Sequence, residues 1–352
     1  MLFSFLGQKS VLGIDIGTTS IKIVELRKVR ANLELANYGI LEKYGHLERI
    51  NDAIQTSAFK LLEESTALLL RKLLVKMKTK EEKCYMSLPN FSSFVVPVEF
   101  PEMTSKELAK AVKYQASQYI PISLQDMTLD WQIERKREGK LSVLIMAVPT
   151  ETIKRYVRTA ELAKLDLKGL EVESIAVSHL FGIKEKNPVV IVDIGGRATS
   201  ISVLDQGMLQ MTLHLDTAGG DLTQVLATGL KINPFRAEEM KRNSGLYLQQ
   251  RGNLDVVSLF TPLLDVIKRE IEKASNQYYM KSKRRIKKIV LTGGGANLKG
   301  LPEYYSRVLS LPVEKGDPFS WGLISYSPQL APLIPELGPS LTVACAVAFL
   351  KL

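Results

Sequence analysis

Two distant segments of this chain carry the same pattern. Residues 11–26 read VLGIDIGTTSIKIVEL, and residues 189–204 read VVIVDIGGRATSISVL. In each, an apolar run enters Asp-Ile-Gly, passes small and hydroxyl residues, and leaves as an alternating apolar run. That order predicts a β-hairpin with a carboxylate at the entry to its turn and bare backbone at its tip. One such hairpin is weak evidence, because an ordinary turn also favours Asp and Gly. Two of them point to related half-domains whose tips grip the same phosphates from opposite sides.

The remaining bounds are compatible with that picture. A length of 352 residues exceeds one ordinary core, so two or more domains are expected. A hydrophobic content of 45% with 24% charged residues is that of a globular chain. No apolar run is long enough to span a bilayer. The apolar start at 1–6 lacks the charged region and cleavage site of a secretion signal. The two cysteines, Cys84 and Cys345, lie in apolar stretches, and only three histidines are present. Neither a disulfide framework nor a zinc site is expected. A cytoplasmic protein is predicted.

The net charge of +10 includes one run, KSKRRIKK at 281–288. Such a run suits nucleic acid or an anionic membrane. It equally suits the solvated C-terminal end of a helix. No aromatic RNA-binding signature or zinc-finger spacing accompanies it, so no nucleic-acid partner is expected.

Along the chain, the first hairpin is followed by a third strand at 33–41. A helix over roughly 51–77 follows, with Leu61, Leu62, Leu68, Leu69, Leu73 and Leu74 as its apolar positions. A short strand at 84–88 stops at Pro89-Asn90. Residues 94–100 read as a strand. Thr104 and Glu107 form a capping box, and Leu108, Ala111, Val112, Gln115 and Tyr119 share one face of the helix it opens. Pro121 ends that helix. Strands at 127–135 and 140–148 follow, and Thr150 caps a helix to about 164. This small α+β unit reads as an insertion. The second hairpin is followed by helices at 221–229, 234–244 and 262–280, a buried strand at 289–291, and an Ala-rich closing helix at 338–350.

The chemistry gathers at glycines. Gly17, Thr18 and Thr19 leave the first tip open to an anion, through backbone N–H groups and hydroxyls. Asp15 is placed to hold water around Mg²⁺, and Lys22 to reach the β- and γ-phosphates. Asp193 repeats the carboxylate, and Gly195, Gly196, Arg197 and Thr199 repeat the tip. Arg197 either clamps the γ-phosphate or points to solvent. Gly293, Gly294 and Gly295 follow a strand and precede Asn297, an arrangement that lets an adenine or ribose lie on backbone.

These motifs, in this order, resemble the superfamily of actin, the sugar kinases and the Hsp70-type ATPases. GIDIGTT (13–19) is similar to its first phosphate motif, VDIGGRATSISV (192–203) to its second, and LTGGGANLKGL (291–301) to its adenosine motif. EVESIAVSHLFG (171–182) and 338–350 are similar to the two connecting helices. The resemblance implies an α/β, actin-like (ribonuclease-H-like) fold of duplicated domains. It also implies ATP with Mg²⁺, the metal held largely through water by Asp15 and Asp193. Gly219, Gly220 and Asp221 correspond to a ribose-side turn. Glu238, Lys241 and Arg242 correspond to a nucleotide-contacting helix. Glu173 corresponds to the acid that positions water in hydrolytic members, and is equally a solvated strand-end Glu. Binding is therefore better supported than hydrolysis, and a slow ATPase stays open.

The inserted unit matches the 1C subdomain that marks FtsA and PilM. The start at 2–26, FPEMTSKEL (100–108), QYIPISLQDMTLDWQI (118–133) and GDPF (316–319) resemble the PilM family of type IV pilus assembly proteins. AVAFLKL departs from the small-residue pattern expected in the last helix, which leaves its packing open. The resemblance implies subdomain 1A at 1–84, 166–187 and 338–352, and 1C at 85–165. It implies 2A at 188–221 and 288–337, and 2B at 222–287. Its functional implication is an ATP-binding assembly protein at the inner face of the inner membrane. The N-terminal cytoplasmic tail of a PilN-like membrane partner would lie in a 1A/1C groove, with other pilus assembly proteins as further partners. A homo-oligomer, and contact of 1–6 with membrane, stay open. The alternatives are a small-molecule kinase of the same superfamily and an FtsA-like filament-forming tether.

Overall fold

Both Asp-Ile-Gly segments form hairpins, and each hairpin opens a five-stranded sheet of the same topology. In the computed structural model, residues 9–30, 32–42, 59–120, 123–247, 256–349 and 351–352 are described. In the first sheet, β1 (Ser10–Ile16), β2 (Ser20–Val29) and β3 (Asn32–Glu42) run antiparallel. β4 (Lys83–Leu88) and β8 (Asp166–Val172) then add in parallel, giving the order β3-β2-β1-β4-β8. The second sheet repeats this with β9 (Val189–Ile194), β10 (Thr199–Asp205), β11 (Met208–Leu215), β12 (Lys288–Thr292) and β13 (Val313–Lys315), in the order β11-β10-β9-β12-β13. The protein is thus an α/β fold of duplicated actin-like domains.

Between β4 and β8, which are neighbours in the first sheet, the chain makes a separate three-stranded sheet. Its strands are β5 (Phe94–Pro101), β6 (Met127–Arg137) and β7 (Lys140–Pro149), in the order β5-β7-β6. Helix α2 (Ser105–Tyr119) covers one face with Leu108, Val112 and Ala116. The Thr104–Glu107 capping box is present. Tyr119, expected on the buried face, is 53% exposed, because the apolar stripe has rotated past it by the last turn. On the other face, Leu144 and Val148 join a core with α4 (Glu173–Gly182) and Leu209 of β11.

Helices cover both main sheets. α1 (Phe59–Met77) and α3 (Thr150–Ala163) lie against the first, burying Leu70, Leu73 and Ala160. The segment 51–58, the side chains of Leu61 and Leu62, Pro121, residues 1–6 and residue 350 lie outside what is described. Thr150 is the first helical residue rather than a cap. Pro149 takes the cap position, and the Thr150 hydroxyl lies 3.1 Å from that of Thr128. The second sheet is covered by α5 (Gly219–Leu230), α7 (Val256–Ser282) and α8 (Leu301–Leu309), with α6 (Pro234–Ser244) packed beside α5.

Two prolines sit inside helices, near the points where the sequence predicts each helix to begin. α7 begins at Val256, so Pro262 lies in its second turn. α9 (Ile334–Phe349) contains Pro339. The carbonyl of Pro335, which Pro339 cannot satisfy, accepts from Lys315 Nζ at 3.2 Å. α9 lies on β1 at Gly13, where an added Cβ would meet the Ala344 carbonyl and stand 2.9 Å from Ala348 Cβ. The small residues of this contact are therefore Gly13, Ala344 and Ala348.

Candidate functional site

The two hairpin tips meet. Thr19 covers Gly196 so closely that a Cβ there would stand 3.0 Å from Thr19 Cβ. Each tip is shaped by its own backbone. The Gly195 amide donates to the Ala198 carbonyl at 3.0 Å, and the first residues of α5 brace the same loop from behind. The Gly219 amide donates to the Gly195 carbonyl (3.0 Å), and the Gly220 amide to the Gly196 carbonyl (2.8 Å).

Behind the tips lies a charged cluster. Asp15, at the end of β1, is 4% exposed. Lys22 Nζ donates to its Oδ2 at 3.2 Å, and the Ser87 hydroxyl to its Oδ1 at 3.0 Å. Burial opposes the Lys22 charge, but Asp15 and Asp193 outweigh burial and raise its pKa. Burial pushes the Asp193 carboxyl up to about 6, with Lys22 opposing and Asp15 adding to the rise. Glu173, the first residue of α4, is held well above the usual carboxylate range by burial and by the neighbouring Asp15 and Asp193. A cation brought among these three acids would be strongly favoured. Among the described residues, no group of three or more His, Cys, Asp or Glu is arranged to hold a metal.

Asn90 ties the two halves together here. Its side-chain N–H donates to Ser200 Oγ of β10 at 2.8 Å, and its Oδ1 accepts from the Ser174 amide at 2.9 Å. Its own amide donates to Glu173 Oε2 at 3.3 Å. In the sequence, Pro89-Asn90 marks only the end of a strand, and a polar residue two positions past a buried strand is the local signal there.

Other expected residues have internal partners. The Thr199 hydroxyl donates to the Thr217 carbonyl at 2.7 Å. Asp221 accepts from the Ala218 amide at 2.8 Å and so caps α5. Lys241 Nζ reaches Glu238 (2.6 Å), the Gly219 carbonyl (2.7 Å) and Thr223 (2.8 Å). Burial opposes ionisation of Glu238, yet Lys241 holds its carboxyl down at about 2. Arg242 bonds Glu238 and also reaches across to Glu42 of β3 at 2.8 Å, a second link between the halves. Asn297 donates to the Glu336 carbonyl (2.7 Å) and to Ser340 (3.2 Å) of α9. Asp193 Oδ1 lies where a Cβ on Gly293 would stand, and Gly295 is packed on Ile194. Gly294 faces Ser340 at van der Waals distance, whereas Gly17 closes only on Ser20 of its own tip. Thr18 and Arg197 are exposed.

A second site lies between the inserted sheet and α4. His179 Nε2 is 3.1 Å from Glu134 of β6, and its Nδ1 is 3.4 Å from Glu171 of β8. Beside it is a shallow, open cavity of about 330 Å³ lined by Gln132, Ile133, Glu134, His179, Ile183 and Gly207.

Duplicated sheets with facing Asp-Ile-Gly tips define an actin-like protein. More particularly, the chain belongs to the family of the type IV pilus assembly protein PilM, whose model matches residues 13–351. A solved PilM–PilN type IV pilus biogenesis complex is similar in fold, with a TM-score of 0.81 and 21% identity, over 97% of this chain and 98% of that one. MreB5 of Spiroplasma citri bound to AMPPNP gives a TM-score of 0.50 at 12% identity, over 97% of this chain and 95% of that one. The cell division protein FtsA of Enterococcus faecalis is 24% identical over 375 residues, 91% of this chain and 83% of that protein. Among the described residues, no helix is long and apolar enough to cross a membrane.

Proposed function

We propose that this chain binds ATP with Mg²⁺ between its two halves and uses the closed cleft to fix the angle between them. In that conformation it holds the cytoplasmic N-terminal tail of a PilN-like inner-membrane protein, as part of the type IV pilus machine. The observation that carries the reading is the meeting of the two tips in front of Asp15, Lys22, Asp193 and Glu173. Three acids around one lysine form a site short of positive charge, which fits a hydrated Mg²⁺. Asp15 and Asp193 would hold the ion through water, and the bare backbone at the tips would face the phosphates. Mg²⁺ supplies charge neutralisation of the phosphates when bound. Glu173 would orient water only once that charge is present to ionise it. Because Thr19 covers Gly196, the tips must part for a nucleotide to enter.

The partner reading is supported by the open cavity between β6 and α4, where the residues we take as 1C (85–165) meet those we take as 1A, with Gly207 also on its rim. The FtsA likeness favours a second reading, a filament-forming tether. Sedimentation with ATP separates the two, since the tether forms filaments.

The test of the cleft is calorimetric titration of ATP into Asp15→Ala and Gly195→Val. The valine Cβ would stand 2.9 Å from the Ala198 carbonyl and spoil the second tip. Both variants are expected to lose ATP binding and to melt cooperatively. Unchanged affinity in both overturns the assignment. For the partner, a titration with the tail peptide of the membrane protein decides: absence of binding with and without ATP removes that claim.

A further inference from the structure

The end of the second sheet remote from the cleft carries a concentrated positive charge. β9 and β12 run parallel, with Lys288 beside Val189 at one end and Thr292 beside Asp193 at the other. At about 3.3 Å per residue, the start of β12 lies roughly 13 Å from the cleft end. Between α7 and β12 the exposed residues alternate. Lys283, Arg285 and Lys287 point outward, while Ile286 is buried and Arg284 half-buried. The Lys287 amide donates to the Pro188 carbonyl at 2.8 Å, which sets this segment beside the loop bearing exposed Lys184 and Lys186.

The acids at this end are fewer than the cations, and two of the cations stand against three of them. Asp205 pairs with Arg284, and Glu185 and Glu314 both hold Lys288, at 2.5 and 2.8 Å. Lys184 and Lys186 donate to the carbonyls of Trp321 and Gly182, which leaves their charge intact. Among the described residues, no ion pair with a carboxylate is formed by Lys184, Lys186, Lys281, Lys283, Arg285 or Lys287. Met280, in the last turn of α7 and one residue before Lys281, is 68% exposed.

We propose that this face docks on the surface of an anionic lipid bilayer, with the free cations at headgroup phosphates and Met280 at the acyl boundary. Cations on an exposed extended segment together with an unpaired apolar side chain suit such an interface. A single-stranded nucleic acid would want an aromatic face for stacking. Here the Tyr279 ring is flanked by Lys283 and Arg285, at 5.9 and 5.2 Å from its centroid. Docked in this way, the cleft end of the sheet points away from the membrane. The cavity beside Ile183 opens next to Lys184, at the membrane side. The inference does not rest on nucleotide binding.

The test is flotation of the full chain with vesicles of phosphatidylcholine alone and of phosphatidylcholine with phosphatidylglycerol. Binding is expected only to the anionic vesicles, and it weakens with salt. At about fivefold per cation, Lys283→Gln/Arg285→Gln/Lys287→Gln should lower partitioning roughly 100-fold. Lys72→Gln/Lys76→Gln on α1 should leave it unchanged. Wild-type protein that ignores lipid charge, or a triple variant that floats normally, overturns the proposal. Tighter binding to single-stranded DNA than to the anionic vesicles, at equal phosphate concentration, would assign the face to nucleic acid instead. ATP titration of the same preparations keeps failure here distinct from failure of the cleft.

Discussion

Thr19, at the tip of the first hairpin, lies directly over the Cα of Gly196 in the second, and only a glycine leaves room for it. Gly196→Ala must therefore push the tips apart or drive Thr19 from its rotamer. Overpacking of this kind costs about 1–3 kcal/mol. The nucleotide-free variant is expected to melt a few degrees below wild type. Thr19→Gly on the same background removes the obstructing side chain and should restore most of the loss. Scanning calorimetry of the four proteins in the cycle measures the coupling. Additive effects of the two changes would mean that the contact does not hold the tips together.

Asn90 concentrates several bonds in one buried side chain, which reaches Ser200 in one direction and the start of α4 in the other. Asn90→Ala leaves the Ser174 amide without its partner, while the Ser200 hydroxyl keeps His214 Nδ1 at 3.2 Å. A buried polar group so stranded costs about 1–3 kcal/mol. The variant should lose roughly 1–3 kcal/mol in urea unfolding. Amide exchange should rise first at the N-terminus of α4. A loss below about 0.5 kcal/mol would show that Asn90 does not tie the halves together.

What the sequence disclosed follows the range of the interactions involved. The hairpins were legible because alternation and turn residues are local properties of fifteen or so consecutive positions. The capping box at Thr104 and Glu107 was legible for the same reason. Thr150 misled because a hydroxyl before a periodic run resembles a cap, while its actual partner, Thr128, comes from another strand. The helices expected from 262 and 338 begin too late, so Pro262 and Pro339, of a residue type common in a first turn, lie inside the actual helices. The turn preceding each is held by packing that no local window contains. The cross-cleft contacts, Thr19 on Gly196 and Arg242 on Glu42, join residues 177 and 200 positions apart and have no sequence signature.

Gly13 offers a test of the closing helix. Its Cα faces the Ala344 carbonyl, and that backbone atom cannot turn aside as a side chain can. Gly13→Ala therefore has to lift α9 from β1, separating Leu341, Ala344 and Ala348 from the core shared with Val24 and Leu26. A loss of at least about 2 kcal/mol is expected, larger than for Gly196→Ala, with no rescue by shortening a neighbour. Chemical denaturation of both variants makes the comparison. Equal costs would contradict the rigid role assigned to the helix backbone.

His179 gives the inserted sheet a pH-dependent attachment. Burial lowers its pKa, but Glu134 and Glu171 outweigh burial and raise it from 6.5 to about 9. Lys351, whose Nζ is 3.3 Å from Glu171, competes for the same carboxylate without removing the imidazolium's second partner. A histidine whose pKa is raised by folding contributes fully below 6.5, and the contribution disappears as pH rises through about 9. At 1.36 kcal/mol per unit, this amounts to roughly 3 kcal/mol across that window. Wild-type stability should therefore fall between pH 6.5 and 9 more steeply than that of His179→Gln, whose side chain keeps a hydrogen bond but no charge. The two curves should converge at the alkaline end. Parallel curves would mean that the imidazole is neutral at physiological pH and that the clamp between β6 and β8 is not electrostatic.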